Sequence, residues 1–574
     1  MRSYVLSRRF FVSYAPFFGA MLALGGFFAA TTSSDVASAE TKVAAVSVTS
    51  APRASVSLGK LPPADRPIAE VVDRYIDEKL AAAKVKPAGQ VDDATYIRRV
   101  TLDLVGRIPA PTEINDFVSS KDSNKRERLI DRLLGSKEFV EHQVNEFDWM
   151  LMQGSGSLRS YLAEAFSEGR TWDKVFRELL LVDELPAGKK PADDFLKNRL
   201  RDQDRLTNDV SSLFFGVNIS CAQCHDHPLA KDWKQDHFYG LKSFLARSFD
   251  NGGFIGERDY GAVTFLTPKG VSKPAQLMFL TGLIVDEPKA AEPDAKAKKA
   301  EQDELKKLAD KKQAPPKPKF SRRKAFADTA LKPDQRHLFS RAIVNRIFYR
   351  LMGQGLVMPV DQMHSGNPAS HPELLEWLAR DAAEHHFDFA RLMRGIMLSQ
   401  AYSRSSRWDG AERPDAALFA VAQVRALTPN QYAASLRIAT ADPESWKSLK
   451  TSAEVMTRAA GLAGSSRSWA SSFAPVTDNY QIGVTESLLL ANSDRMATDF
   501  LSDGSDRLVG RMKTLAEPEK QAEVAITTVL GRPADDEERK LLAAYIAERK
   551  DRSLEAAKQV VWSLLTSSEF RFNY

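Results

Sequence analysis

Apolar residues recur three and four positions apart through most of the chain, and that spacing predicts helices. In "IAEVVDRYIDEKLAAA", Ile68, Val71, Val72, Tyr75, Ile76 and Leu80 fall on one stripe. Leu129, Ile130, Leu133 and Leu134 form another, closed by Gly135. "IPAPTEINDFV" places Pro and Thr where a helix would start. Residues 206–247 read as helix, cysteine-bearing segment, helix. Between 252 and 285 the pattern changes. Gly253, Gly261 and Pro268 punctuate short runs such as "GAVTFLT" and "QLMFLTGLIV", which predicts a small β-hairpin or two.

Residues 286–324 are rich in Lys, Glu, Ala and Pro and show no apolar face. They predict a charged linker whose middle forms at most a transient lone helix. Its acids nearly balance its bases, which argues against a polybasic binding tail. Helical spacing returns with Ile343, Val344, Ile347, Phe348 and Leu351, ended by Gly353. "SHPELLEWLARDAAEHH" predicts a capping box from Ser370 to Glu373, and His385-His386 fall at the helix end. Phe389, Leu392, Met393 and Ile396 mark a further amphipathic helix. No repeat of 20–50 residues is evident. The expected fold is mainly α. It has two helical domains, 65–285 and 325–574, with a small β-hairpin region near 252–285 and a charged linker between them.

The first residues read differently. "MRSYVLSRRFFVSYAP" is basic and aromatic, and "FFGAMLALGGFFAA" is a short apolar run. Ala37-Ser38-Ala39 supplies an A-x-A cleavage site. The reading is a signal peptide over 1–39 and a flexible lead-in over 40–64; the alternative is an uncleaved anchor, the one case that would involve a membrane. Ser7-Arg8-Arg9-Phe10-Phe11-Val12 looks like a twin-arginine signal. That route carries proteins already folded. Both readings place the mature chain in the periplasm or outside the cell.

Composition is ordinary for a globular protein, and the net charge of +5 over 574 residues is small. With no run of Lys or Arg interleaved with aromatics, a nucleic-acid surface is not expected. The cysteine count is more telling. The chain has two, both in "NISCAQCHDHPLAKDW". In an oxidising compartment a CxxC disulfide would close a tiny loop and constrain little, so another use of the thiols is more attractive.

Cys221-Ala222-Gln223-Cys224-His225 has the c-type haem attachment spacing. Two thiols would add to the two vinyl groups of one porphyrin, and the following imidazole would ligate the iron from the same side. His227, His237 and Met278 are candidates for the sixth ligand. Two other readings stand beside haem: a tetrahedral zinc site built from the thiolates with His227 and His237, and a redox-active thiol pair. In the second domain "DQMHSGNPASHPELLEW" gathers Asp361, His364, Asn367 and His371. Helix-start geometry accounts for much of that pattern. G-x-S-x-G, H-E-x-x-H and P-loop patterns are absent.

"RRVTLDLVGRIPAPTEINDFV", "RERLIDRLLGSKEFVEHQ", "FFGVNISCAQCHDHP" and "FYGLKSFLARSF" resemble the first of two paired domains in planctomycete-type secreted cytochrome-like proteins. "FSRAIVNRIFYRLMGQGLVMPVDQMHSGNPASHPELLEWLA", "LMRGIMLSQAYSRSS", "LTPNQYAASL" and "VLGRPADDEERKLLAAYI" resemble the second. Both domains are classed in that family as of unknown function. The resemblance implies Cys221, Cys224 and His225 as a haem site, with Asp226, His227 and Pro228 as its extension. It implies His364, Asn367, Pro368 and His371 as the second-domain signature. This chain has His237 where an aromatic is more usual, and shows no separate small cytochrome domain of the kind many relatives carry, which weakens a multi-haem reading. Relatives often accompany sulfatase-like and polysaccharide-degrading proteins.

The expectation is therefore an exported protein with one covalent haem, acting in electron transfer or haem-dependent redox chemistry. It would need the haem-attachment machinery and a redox partner the sequence does not name. The alternatives are a zinc-binding or structural protein, or a scaffold using the Asp361–His371 loop.

Overall fold

The computed structural model describes residues 61–185, 190–228, 230–288, 291–476 and 482–574. The expected signal peptide, and the expected lead-in as far as residue 60, lie outside the described residues. The structure is 57 % helical and the strands among the described residues form only two-stranded sheets, so the mainly α expectation holds.

The stripes read from sequence are the buried faces. Helix Ile68–Ala83 buries Ile68, Val71, Val72, Ile76 and Leu80. Helix Lys125–Leu134 buries Leu129, Ile130 and Leu133. Helix Pro111–Ser119 starts where Pro and Thr predicted, with Glu113 reaching back to the Ala110 amide at 2.8 Å. Helix His337–Met352 ends at Gly353, whose φ of +72° is a left-handed cap that glycine adopts without strain. The capping box from Ser370 to Glu373 does not form. Pro372 occupies the first helical position, so His371 is the N-cap, and the Ser370 hydroxyl turns to His371 Nδ1 at 3.1 Å.

The expected hairpins are two. Strand Ser248–Asn251 pairs with Phe254–Glu257, and Thr264–Leu266 with Ser272–Pro274, both antiparallel. A third pair, Arg425–Ala426 with Phe572–Asn573, was not foreseen. The middle of the linker is a helix, Ala295–Asp310, anchored on the first hairpin. Leu305 is buried, Asn251 Nδ2 donates to the Leu305 carbonyl at 3.0 Å, and the Tyr260 hydroxyl donates to Glu301. One buried leucine and a few polar contacts hold this helix, too little apolar surface to show as a stripe in the sequence.

Hydrophobic burial divides at about residue 425. One core runs from Ile68 to Val421 and so takes side chains from both expected domains. Phe176 stacks near Phe214 (4.9 Å) and Phe339 (5.2 Å), and Phe215 near Phe326 (5.8 Å). The second core spans Leu427 to Phe570 and adds Leu102, Ile108 and Ala110. Helix Asp93–Val105 serves both cores. Its Asp103 is buried and accepts from both terminal nitrogens of Arg425 (2.8 Å each), Tyr402 Oη (2.7 Å) and Asn573 Nδ2 (2.9 Å). No helix among the described residues is long and apolar enough to cross a membrane.

Candidate functional site

Helix Gln203–Phe215 ends on Gly216 in the left-handed conformation, and a Cβ there would meet Met363 Sδ at 3.0 Å. The chain then turns through a 3-10 segment, Ser220–Gln223, before helix Gln235–Leu245. Ala222 is fully buried while Cys221 and Cys224 on either side of it are exposed and free. The turn is held from outside. The Gln223 amide donates to Asp204 Oδ2 at 2.8 Å, and the Gln223 carbonyl accepts from Tyr239 Oη at 3.1 Å. Gln235 Nε2 donates to the Cys224 carbonyl at 3.1 Å and to the Leu266 carbonyl at 3.3 Å. The second hairpin is thereby fastened beside Cys224. Its Phe265 stacks on Tyr239 at 4.3 Å, while Leu266 and Val271 are 66 % and 60 % exposed.

The second-domain loop lies against this turn. Asn218 N donates to the Asp361 carbonyl at 2.7 Å, Met363 N to the Gly216 carbonyl at 2.9 Å, and Ser365 N to Asp232 Oδ2 at 2.6 Å. Asn218 Nδ2 approaches the Asp361 carboxylate at 3.4 Å. Asn367 Nδ2 pins the loop to itself through the Met358 and Gln362 carbonyls, at 3.1 and 2.9 Å. As a result the rings of His227 and His364 stand 5.9 Å apart. Two segments distant in sequence therefore make one site.

The imidazoles in this region differ in which nitrogen holds the proton. His225 is exposed, and its Nδ1 donates to the Asp226 carbonyl at 2.7 Å. A ring that donates from Nδ1 to a backbone carbonyl leaves its Nε2 lone pair free for a metal. His227 Nδ1 instead accepts from the Ala230 amide (3.0 Å), His237 Nδ1 from Lys234 (3.1 Å) and His364 Nδ1 from Gly366 (3.2 Å). A ring whose Nδ1 accepts in this way has Nε2 as its N–H. Burial, and the neighbouring His364 and His225 rings, lower the His227 pKa; burial lowers that of His237. His237 also sets its edge against Trp233 at 5.8 Å.

Two further sequence candidates are held by other contacts. Met278 packs on helix Gln235–Leu245, where a Cβ on Gly240 would meet the Met278 Cβ at 2.7 Å and its carbonyl at 2.8 Å, and bridges to Ile284. His371 is buried against Phe419, ring to ring at 5.4 Å, and its Nε2 finds no hydrogen-bond partner among the described residues. Sequence reasoning missed Asp204, Asn218, Asp232, Gln235 and Tyr239. They are ordinary residues of a helix or loop, and only their position over the turn gives them a role. Among the described residues, no group of three or more His, Cys, Asp and Glu side chains is arranged to hold a metal ion.

Residues 71–249 match the family described as PSCyt2, protein of unknown function (DUF1549). Residues 322–460 match the family described as PSD1, protein of unknown function (DUF1553). The chain thus pairs these two domains, and both halves of the composite site lie inside the matched segments. No curated protein and no solved structure matches the chain.

Proposed function

We propose that this chain carries one covalent c-type haem on the Ser220–Gln223 turn and serves extracytoplasmic electron transfer or haem-dependent redox chemistry. Cys221 and Cys224 would form the thioethers and His225 would hold the iron from one side. When bound, the haem supplies a one-electron couple whose potential follows axial ligation, burial and hydrogen bonding.

One observation carries this reading. The ring directly after two exposed, free thiols is also the one among His225, His227, His237 and His364 whose Nε2 is set up as a ligand. The Asp226 carbonyl fixes its tautomer, and Asp204, Gln235 and Tyr239 fix the turn that spaces the sulfurs. Leu266 and Val271 are exposed apolar residues of the hairpin that Gln235 fastens to the Cys224 carbonyl, and they would supply apolar surface for a porphyrin. The Asp361–Asn367 loop is hydrogen-bonded to Gly216, Asn218 and Asp232 on either side of the turn, which gives the second domain a part in the site. A Cys/His zinc site draws no support from this geometry, because His227 and His237 spend Nδ1 on backbone amides.

The test is maturation in a host with haem-attachment machinery, followed by intact mass and a pyridine haemochrome spectrum. The wild type should gain one haem and Cys221→Ser/Cys224→Ser none. His225→Ala should keep the covalent haem but change its axial spectrum. Unmodified thiols in wild-type material made this way would overturn the proposal.

A further inference from the structure

We infer that the cavity between Arg99 and Arg425 binds a single halide ion, chloride in ordinary salt. The inference stands apart from the haem reading and concerns the seam between the two cores.

The cavity holds about 10 Å³, room for one guest of atomic size. Helix Asp93–Val105 supplies Arg99, and the end of helix His337–Met352 supplies Leu351 and Met352. The segment leading from the first core to the second supplies Ala401, Phe419 and Arg425. Among the described residues, no Asp or Glu lines it.

Each guanidinium keeps one buried N–H with no acceptor among the described residues. Arg99 is 3 % exposed. Its Nε donates to the Tyr574 backbone oxygen at 3.1 Å, and its Nη1 to the carbonyls of Tyr402 and Arg404, which leaves Nη2 over. Arg425 gives Nη1 and Nη2 to Asp103 and leaves Nε over. Asp103 has no capacity for more. Its Oδ1 also accepts from Asn573 and its Oδ2 from Tyr402, two donors to each oxygen. Burial pushes the Arg99 pKa down, and the Arg425 charge pushes the same way. Both groups nonetheless stay protonated, so two like charges border one small space.

The occupant must therefore accept hydrogen bonds. Water accepts, but it also brings two hydrogens, and the side chains of Leu351, Met352, Ala401 and Phe419 offer them no acceptor. A halide only accepts, and its charge offsets the repulsion between the two cations. Carboxylate and sulfate are too large for the space. Bound there, the ion joins helix Asp93–Val105 to the segment that carries Arg425, and the stability of the chain becomes linked to halide concentration.

The experiment follows urea unfolding of the full chain at constant ionic strength while chloride replaces gluconate, a monovalent anion too large to enter. Above the dissociation constant, the folded-to-unfolded ratio should rise about tenfold for each tenfold rise in chloride. Bromide should act as chloride does. Arg99→Gln should abolish the dependence. Crystals of the wild type grown in bromide supply a check that needs no variant: an anomalous peak should lie within hydrogen-bond distance of Arg99 Nη2 and Arg425 Nε. Equal stability in chloride and gluconate would overturn the inference. So would an ordered water at that position with no anomalous signal. Chloride dependence without the peak would place the ion elsewhere and overturn it as well.

Discussion

His364 and His371 share one loop in the sequence and meet opposite surroundings. His364 is half-exposed and turned toward His227, while His371 starts a helix and is sunk against Phe419. Burial, aided by the nearby Lys79 charge, lowers the His371 pKa from 6.5 to about 4. Between those two values the unfolded chain binds a proton that the folded chain refuses. The stability from this site is therefore fully present above pH 6.5 and is lost as the pH falls toward 4. A difference of that size is worth about 3 kcal/mol. His371→Phe should remove this part of the acid sensitivity. Urea denaturation of both proteins at neutral pH and near pH 4.5 should show the variant losing about 2–3 kcal/mol less than the wild type. Equal losses would show that His371 is not the group responsible.

Helix Asp93–Val105 shows what periodicity conveys and what it withholds. Its apolar residues mark a helix, but Arg98, Arg99 and Asp103 are buried as well, and no amphipathic rule predicts that. Asp103 neutralises Arg425 and accepts from Tyr402 and Asn573, which ties the helix to the segment between the two cores and to the tail. Asp103→Ala would leave those donors facing one another without an acceptor, at a cost of about 3–5 kcal/mol. The denaturation midpoint should fall with an unchanged slope, and a loss under 1 kcal/mol would show the hub contributes little. Helices, their glycine stops, the hairpin region and the cysteine turn were legible, because each rests on local spacing. The pairing of Asn218 with Asp361, 143 residues apart, was not, since no local pattern encodes which loop lies on which. Nor were the tautomers of His225 and His227, which depend on whether a carbonyl or an amide faces each ring. The linker helix escaped because it buries a single leucine and is otherwise held by polar contacts.

The two matched domains are units of sequence, but the first core is common to both. Phe326, Phe339, Ile343, Phe348 and Trp377 fill the same interior as Phe176, Phe214 and Phe215. Arg346 reinforces the join by donating to the Ser212 carbonyl at 2.7 Å. A chain ended at residue 324 would therefore expose the parts of helices Trp172–Leu180 and Gln203–Phe215 that pack on Phe326 and Phe339. Burial of such side chains contributes about 1.5–3 kcal/mol each, so losing several exceeds the whole margin of a typical domain. The shortened chain should show no cooperative thermal transition and poor dispersion of its amide signals, although it keeps both cysteines and all of the first matched segment. A cooperative melt close to that of the full chain would show that the first domain folds alone. The same outcome would uncouple the Ser220–Gln223 turn from the Asp361–Asn367 loop, leaving the second domain as a neighbour of the site rather than a part of it.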